Sequence, residues 1–305
     1  MEELLEQLID ECKIYTKDGE LANYIPELTK ADPNMLGVYM ISSDGKQYSA
    51  GDCMHQFTIQ SIAKTILLLQ ALLDKGIEEI SSKVGVEATG KPFDAINVSG
   101  QKLASKNLNP MVNMGAILMC TLIDGDTYDE KFERVLALTR ELAGNPDIQI
   151  DEDVYQSEKK YGSKNRALAY LLKSYGMLED DVEEVLDCYF KSCSISVTCK
   201  DLANIGFVLA NRGQMPGRKE RVIPVKYTRY VNAILMTCGM YDGSGEFALR
   251  VGVPAKSGVG GGIMAAVPTK MGIGIYSPTL DEKGNSVAGI RLLERISNQL
   301  YLSIF

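Results

Sequence analysis

Apolar positions along the chain switch between two periods. Leu4, Leu5, Leu8, Ile9 and Cys12 recur at helical spacing, which predicts an amphipathic helix at the N-terminus. Residues 36–50, LGVYMISSDGKQYSA, alternate in a strand-like manner around Asp44-Gly45 and predict a hairpin. From Ser61 the period returns to helical, with Ile62, Ile66, Leu69, Leu72 and Leu73 on one broad face. Gly76 offers that helix a C-terminal stop.

A loop-rich stretch over 83–111 carries ATGKPF and NLNP, and a mostly helical block follows from about 112 to 240. The tail changes character again. AKSGVGGGIMAAVP and MGIGIYSP predict adjacent strands, 280–285 a polar turn, and 286–302 an amphipathic helix. Strands thus come at both ends and helices fill the middle. The economical architecture is a mixed α/β (α+β) fold whose antiparallel sheet is built from both chain ends around a helical insertion. We expect one domain over 1–305, its sheet part from 1–60 and 225–305 and its helical part from 61–224.

Composition narrows the partners. With 305 residues and 45% apolar content the chain can bury a substantial core. A net charge of −8 argues against nucleic acid or an anionic membrane as the main partner. No apolar run approaches the ~18 residues of a membrane span. The acidic, amphipathic start, MEELLEQLIDECK, does not read as a signal peptide, so a cytoplasmic protein is expected. Seven cysteines without a CxxC pair read as reduced, mostly buried thiols. His55 is the only histidine, so a zinc site is not expected. Six residues before Ser61 in an extended segment, it should not reach that side chain, so a hydrolase built on this chain would take its base from another residue type.

Chemistry concentrates around two short strings. S-x-x-K occurs four times, at Ser43–Lys46, Ser61–Lys64, Ser99–Lys102 and Ser157–Lys160, so the pattern alone selects nothing. Ser61 differs by opening an apolar helix after a strand-like segment. Its i, i+3 spacing places Lys64 on the same face, where partial desolvation would favour a neutral amine able to act as base. The plainer alternative is a serine cap with an exposed first-turn lysine. Lys256-Ser257-Gly258, the only K-[S/T]-G in the chain, leads into GVGGG at a strand edge. Glycines there let a ligand approach backbone N–H groups. S-x-x-K opening a helix, followed much later by K-[S/T]-G on a strand, is the signature of serine β-lactamases and penicillin-binding proteins, a serine acyl-transfer fold.

Longer strings make the resemblance narrower. YIPELTK (24–30), FTIQSIAKT (57–65), NPMVNMGAI (109–117), SEKKYGSKNRALA (157–169), CYFKSCSISVT (188–198) and CGMYDGSGEFALRVGVPAKSGVGGGI (238–263) occur in order, with KGNSVAG at 283–289. Together they resemble the serine-dependent glutaminases, which share the β-lactamase-like fold. The resemblance implies hydrolysis of L-glutamine to L-glutamate and ammonia, with no metal or organic cofactor. It implies Ser61 as nucleophile and Lys64 as its base, tuned or relayed by Tyr189 and Tyr241. The N–H groups of Ser61 and Val259 would form the oxyanion hole, supported by Lys256, Ser257 and Gly258. Tyr24, Gln60, Asn113, Glu158, Asn165, Tyr189, Tyr241 and Val259 would line the substrate pocket.

That pocket suits glutamine. A carboxylate at 158 can pair with the α-ammonium, and amide and phenol donors can hold the α-carboxylate. Without the resemblance Glu158 would read as a solvated charge, Asn113 as a helix cap, and Tyr189 and Tyr241 as core residues. The middle S-D-N element of β-lactamases has no counterpart here. Within the resemblance, Met114 stands where a smaller residue is common and Lys164 where arginine is common; Met114 is expected to narrow the pocket wall, and the lysine, if exposed, to have little effect. A homodimer or homotetramer is implied. The competing readings are a β-lactamase-like esterase or peptidase, and a non-catalytic homologue that binds glutamine or glutamate.

Overall fold

The computed structural model describes residues 1–95 and 108–305. Helix α1 (Glu2–Cys12) is followed by β1 (Glu20–Leu21), the hairpin β2 (Gly37–Ser42) and β3 (Gln47–Gly51), and β4 (Phe57–Thr58). A 3₁₀ turn, Gln60–Ile62, leads into α2 (Ala63–Lys83). The middle of the chain forms α3 (Asn113–Leu122), α4 (Tyr128–Ala143), α5 (Glu152–Tyr161), α6 (Ser163–Ser174) and α7 (Val182–Cys193). After β5 (Ser196–Val197) come α8 (Cys199–Ala210), α9 (Val225–Cys238) and α10 (Ser244–Arg250). The tail supplies β6 (Ala255–Ser257), β7 (Gly262–Val267), β8 (Met271–Tyr276), β9 (Thr279–Leu280) and α11 (Val287–Gln299).

Both chain ends build the main sheet, in the order β3-β2-β8-β7-β6, with every neighbouring pair antiparallel. Leu5 and Leu8 of α1 join Leu292, Leu293 and Ile296 of α11 in one core with Val38, Ile263, Ala265 and Ile273 of the sheet. Helix α8, from the middle of the sequence, packs on β8, β7 and β2. Its start is fixed by a capping box: the Thr198 hydroxyl accepts from the Asp201 N–H, and the Asp201 carboxylate accepts from the Thr198 N–H.

The MGIGIYSP strand owes its glycines to this contact. A Cβ on Gly274 would lie 2.0 Å from the Cys199 carbonyl oxygen, and one on Gly272 would lie 2.1 Å from both the Ala203 carbonyl oxygen and the Phe207 nitrogen. Helix backbone therefore rests directly on strand backbone, with no room for side chains between them. Gly274→Ala should force the two apart at about 2–3 kcal/mol, lowering Tm by roughly 5 °C or more. An unchanged melting curve would refute this packing.

Two sequence expectations need correction. Helix α2 does not stop at Gly76. It kinks there at φ +79° and resumes to Lys83, because Ile80 continues the apolar face into the core. Met114 turns into the hydrophobic core and does not line the pocket described below. His55 stacks on Tyr276, ring centroids 5.3 Å apart. The Ser99–Lys102 pair lies outside the described residues.

Candidate active site

Ser61 lies in the 3₁₀ turn that precedes α2, so the regular helix begins two residues later than expected. No side chain caps either start, and the serine hydroxyl is therefore not spent on the backbone. Gln60 beside it has φ +49°, an uncommon conformation for a residue with a Cβ and one that gathers at functional sites. The glycine-rich loop between β6 and β7 lies against this turn. A Cβ on Gly258 would meet the Ile59 carbonyl oxygen at 2.7 Å, and one on Gly260 the Thr58 carbonyl oxygen at 2.7 Å. Gly258 N–H and Gly261 N–H close the loop onto Gly262 and Gly258 carbonyls, leaving the Val259 N–H without a backbone partner among the described residues. An unused N–H on the loop and the early N–H groups of a helix start are the donors an oxyanion site needs.

One turn on, Lys64 is fully buried. Its Nζ donates to Asn113 Oδ1 at 2.6 Å and to the Met111 carbonyl at 3.3 Å, and lies 5.5 Å from the Phe93 ring centroid. Burial pulls its pKa down to about 8, so roughly a tenth of the amine is neutral at pH 7. Asn113 in turn donates through Nδ2 to Asn165 Oδ1 at 2.8 Å. The lysine thus orients one pocket amide, and that amide orients the next.

Tyr241 also approaches the Ser61 hydroxyl. Burial raises the phenol's pKa, and the serine partly offsets that rise. Its hydroxyl is buried without a partner in ordinary hydrogen-bond geometry, so it can turn toward whatever Ser61 becomes. Tyr241 has φ +54°, and its ring packs against Phe93 with centroids 4.4 Å apart.

Glu158 is 2% exposed although its neighbours Lys159 and Lys160 face solvent. It falls four residues after Val154 and three after Tyr155, on the buried stripe of α5. Tyr24 is nearly half-exposed over its whole side chain, yet its hydroxyl reaches inward to Glu158 Oε1 at 2.5 Å, with Gln60 Oε1 at 2.7 Å. Burial pushes the Glu158 pKa up to about 7, against the opposing effect of Tyr24 and Gln60. No cation pairs with this buried carboxylate among the described residues, which leaves it free to receive one.

Tyr24, Gln60, Ser61, Asn113, Glu158, Asn165, Tyr189 and Val259 converge on a single cavity of about 340 Å³. Lys64 sits behind its wall, held by Asn113. Tyr241 lines a neighbouring cavity of about 410 Å³ that shares Phe93. Lys256 and Ser257, also fully buried, support the loop from strand β6. No group of three or more His, Cys, Asp or Glu suited to a metal ion occurs among the described residues.

A glutaminase family model matches residues 19–305. The chain belongs to the glutaminase family. Similar relatives include the glutaminase of Clostridium tetani and glutaminase 2 of Clostridium perfringens, each 53% identical over the full length of both chains. Among solved structures, a probable glutaminase from Bacillus subtilis complexed with 6-diazo-5-oxo-L-norleucine superposes with TM-score 0.91 at 40% identity, covering 100% of this chain and 97% of the other. A covalent complex of Bacillus subtilis glutaminase with 5-oxo-L-norleucine, formed by reaction with the same diazo compound, gives TM-score 0.91 at 39% identity, covering 100% and 99%. The fold is that of the serine β-lactamase-like glutaminases.

Sequence reasoning missed several lining residues of this glutaminase-family pocket: Phe93, Asp94, Tyr161, Gly162, Ser163 and Cys193. Phe93 and Asp94 lie in a loop without periodicity, so no pattern marks them. Lys164 is exposed, the condition under which lysine in place of the usual arginine is expected to have little effect, and it pairs with Asp94 at the rim. Cys193 sits one helical turn after Tyr189, a spacing that could have placed it on the same face.

Proposed function

We propose that this member of the glutaminase family hydrolyses the side-chain amide of L-glutamine by acylation and deacylation at Ser61. The observation that carries the reading is one pocket lined by a serine hydroxyl spent on no cap and a buried carboxylate with no cation among the described residues, with a buried lysine one turn from the serine behind its wall. Glu158 receives the α-ammonium, while Tyr24, Gln60, Asn165 and Tyr189 supply polar atoms for the α-carboxylate. Held at that end, glutamine presents its amide carbon to Ser61 Oγ. The serine proton passes through the Tyr241 hydroxyl to the neutral Lys64 amine as the Oγ–C bond forms. The N–H groups of Ser61 and Val259 take the developing oxyanion. Collapse breaks the C–N bond, and the departing nitrogen takes the proton back and leaves as ammonia. Water then attacks the ester, gives its proton to the same relay, and releases glutamate as Ser61 regains its hydrogen.

The direct test is ammonia release from L-glutamine, with L-asparagine and a chromogenic β-lactam alongside. Asparagine is one methylene shorter, so with its ammonium on Glu158 its amide carbon stops short of Ser61. Glutamine-selective release supports the reading; turnover of the β-lactam alone overturns it.

The pH profile follows from two ionisations. Catalysis needs Lys64 neutral, above about 8, and binding needs Glu158 ionised, above about 7. Log kcat/KM should therefore climb with a slope near one between those values and steepen toward two below them. A flat acid limb would contradict a lysine-derived base.

Family resemblance alone supports a cytoplasmic homodimer or homotetramer. No helix is long and apolar enough to cross a membrane among the described residues. Light scattering that returns the mass of one chain would overturn the oligomer.

A further inference from the structure

Tyr241 lines the second cavity and not the substrate pocket, and the reaction just described gives that cavity no task. It measures about 410 Å³ and is bounded, among the described residues, by the loop at 88–93, the segment at 109–112 and the α9–α10 turn. Its floor is buried, at Met111, Cys238, Tyr241 and Ser244. Its rim, at Ala88, Gly90, Asp242 and Gly245, is exposed to solvent. The cavity therefore runs from bulk water down to the Tyr241 ring. Phe93 is the one residue it shares with the substrate pocket among those described.

Two contacts bring this space up to the reacting groups. Met111, on its floor, offers its carbonyl to Lys64 Nζ at 3.3 Å. The Phe93 ring lies 4.4 Å from the Tyr241 ring and 5.5 Å from Lys64 Nζ, centroid distances that make it the partition between cavity and pocket. Thr89, Asp242 and Lys283 give the walls polar groups, and at about 30 Å³ per molecule the volume holds several waters. In the acyl-enzyme the glutamyl chain runs from Ser61 to Glu158 and fills the substrate pocket. Water still has to reach the ester carbon beside Tyr241, whose buried hydroxyl has no partner in ordinary hydrogen-bond geometry to compete for it.

We propose that the second cavity is the water port of deacylation: glutamine enters and glutamate leaves through the substrate pocket, whereas the water that hydrolyses the ester arrives past Phe93 and Tyr241. The proposal rests on the Ser61 acyl-enzyme reading above. The water oxygen bonds to the ester carbon, one of its protons passes through the Tyr241 hydroxyl to the Lys64 amine, the bond from that carbon to Ser61 Oγ breaks, and Ser61 recovers the proton. Acylation needs no water, so only the second half-reaction depends on the port.

Filling the port tests it. Thr237 and Gly245 line this cavity and not the substrate pocket, both are exposed, and a Cβ added to Gly245 meets nothing within 4 Å. Thr237→Trp and Gly245→Trp should each lower kcat about 10-fold or more and lower KM by the same factor, leaving kcat/KM within about twofold, because the ester forms normally and accumulates. A burst of ammonia matching the enzyme present should precede the slow phase, and acid-quenched enzyme should carry a glutamyl group on Ser61 by mass spectrometry. Thr237→Val, which removes the hydroxyl without filling the space, should keep the wild-type kcat. Either tryptophan variant suffices if the other fails to fold. Wild-type kcat in every folded tryptophan variant, or a fall in kcat/KM without retained ester, would overturn the proposal. A wild type that neither turns over glutamine nor forms the ester would instead defeat the reading of Ser61 beneath it.

Discussion

Ser61→Ala should fold normally and release ammonia from glutamine at least about 10⁴-fold more slowly than the wild type. The hydroxyl is not a helix cap, so its removal leaves the start of α2 intact. Only the approach to Tyr241 is lost, and the change in stability should stay within about 1 kcal/mol. Glutamate should still bind, because Glu158 and Tyr24 are untouched. A variant retaining a tenth of wild-type turnover would mean that another group, such as water activated directly by Lys64, attacks the amide.

Glu158→Gln should lose function and gain stability together. At pH 8 the wild-type pocket offers a buried carboxylate to the substrate ammonium, and the amide does not. Leaving a buried charge without its partner costs about 2–5 kcal/mol, so kcat/KM should fall about 30-fold to several thousandfold, mainly through KM. The unliganded fold moves the other way. A carboxyl whose pKa rises from 4.5 to about 7 on folding is stable in its neutral form. Its contribution is favourable at low pH and is lost as pH rises from about 4.5 to about 7, amounting to about 3 kcal/mol above that window. The glutamine variant escapes this loss. Its Tm should therefore exceed the wild-type value at pH 8 and converge with it near pH 4.5. Equal melting temperatures at pH 8 would show that the carboxylate is solvated in the free protein.

Architecture was legible where the hydrophobic period was strong. The N-terminal helix read from helical spacing and the hairpin and β8 from strand-like runs, whereas AKSGVGGGIMAAVP folds into two strands, β6 and β7, paired across the glycine-rich loop. The break at Gly76 was visible, but not the resumption after it, because one buried residue, Ile80, decides that. Of the site, Ser61 and Lys64 stood out only once KSGVGGG and the longer strings singled them from four equivalent pairs. Glu158 was ambiguous because its neighbours are charged; its place on the Val154–Tyr155 stripe was the available signal. Phe93 and Asp94 reach the pocket through a loop, where position depends on tertiary closure and leaves no periodic trace. The left-handed conformation of Tyr241 had no sequence signal, since glycine or asparagine would ordinarily announce it.

Alkylation by 6-diazo-5-oxo-L-norleucine, followed by peptide mass mapping, tests Ser61 as the pocket's nucleophile most directly. Ser61, Ser163 and Cys193 all line the pocket, and burial holds the thiol's pKa up, keeping it protonated and inert. A single label is expected on Ser61, suppressed by excess glutamate and absent from Ser61→Ala. A label on Cys193 with Ser61 unmodified, or full labelling of Ser61→Ala, would contradict it.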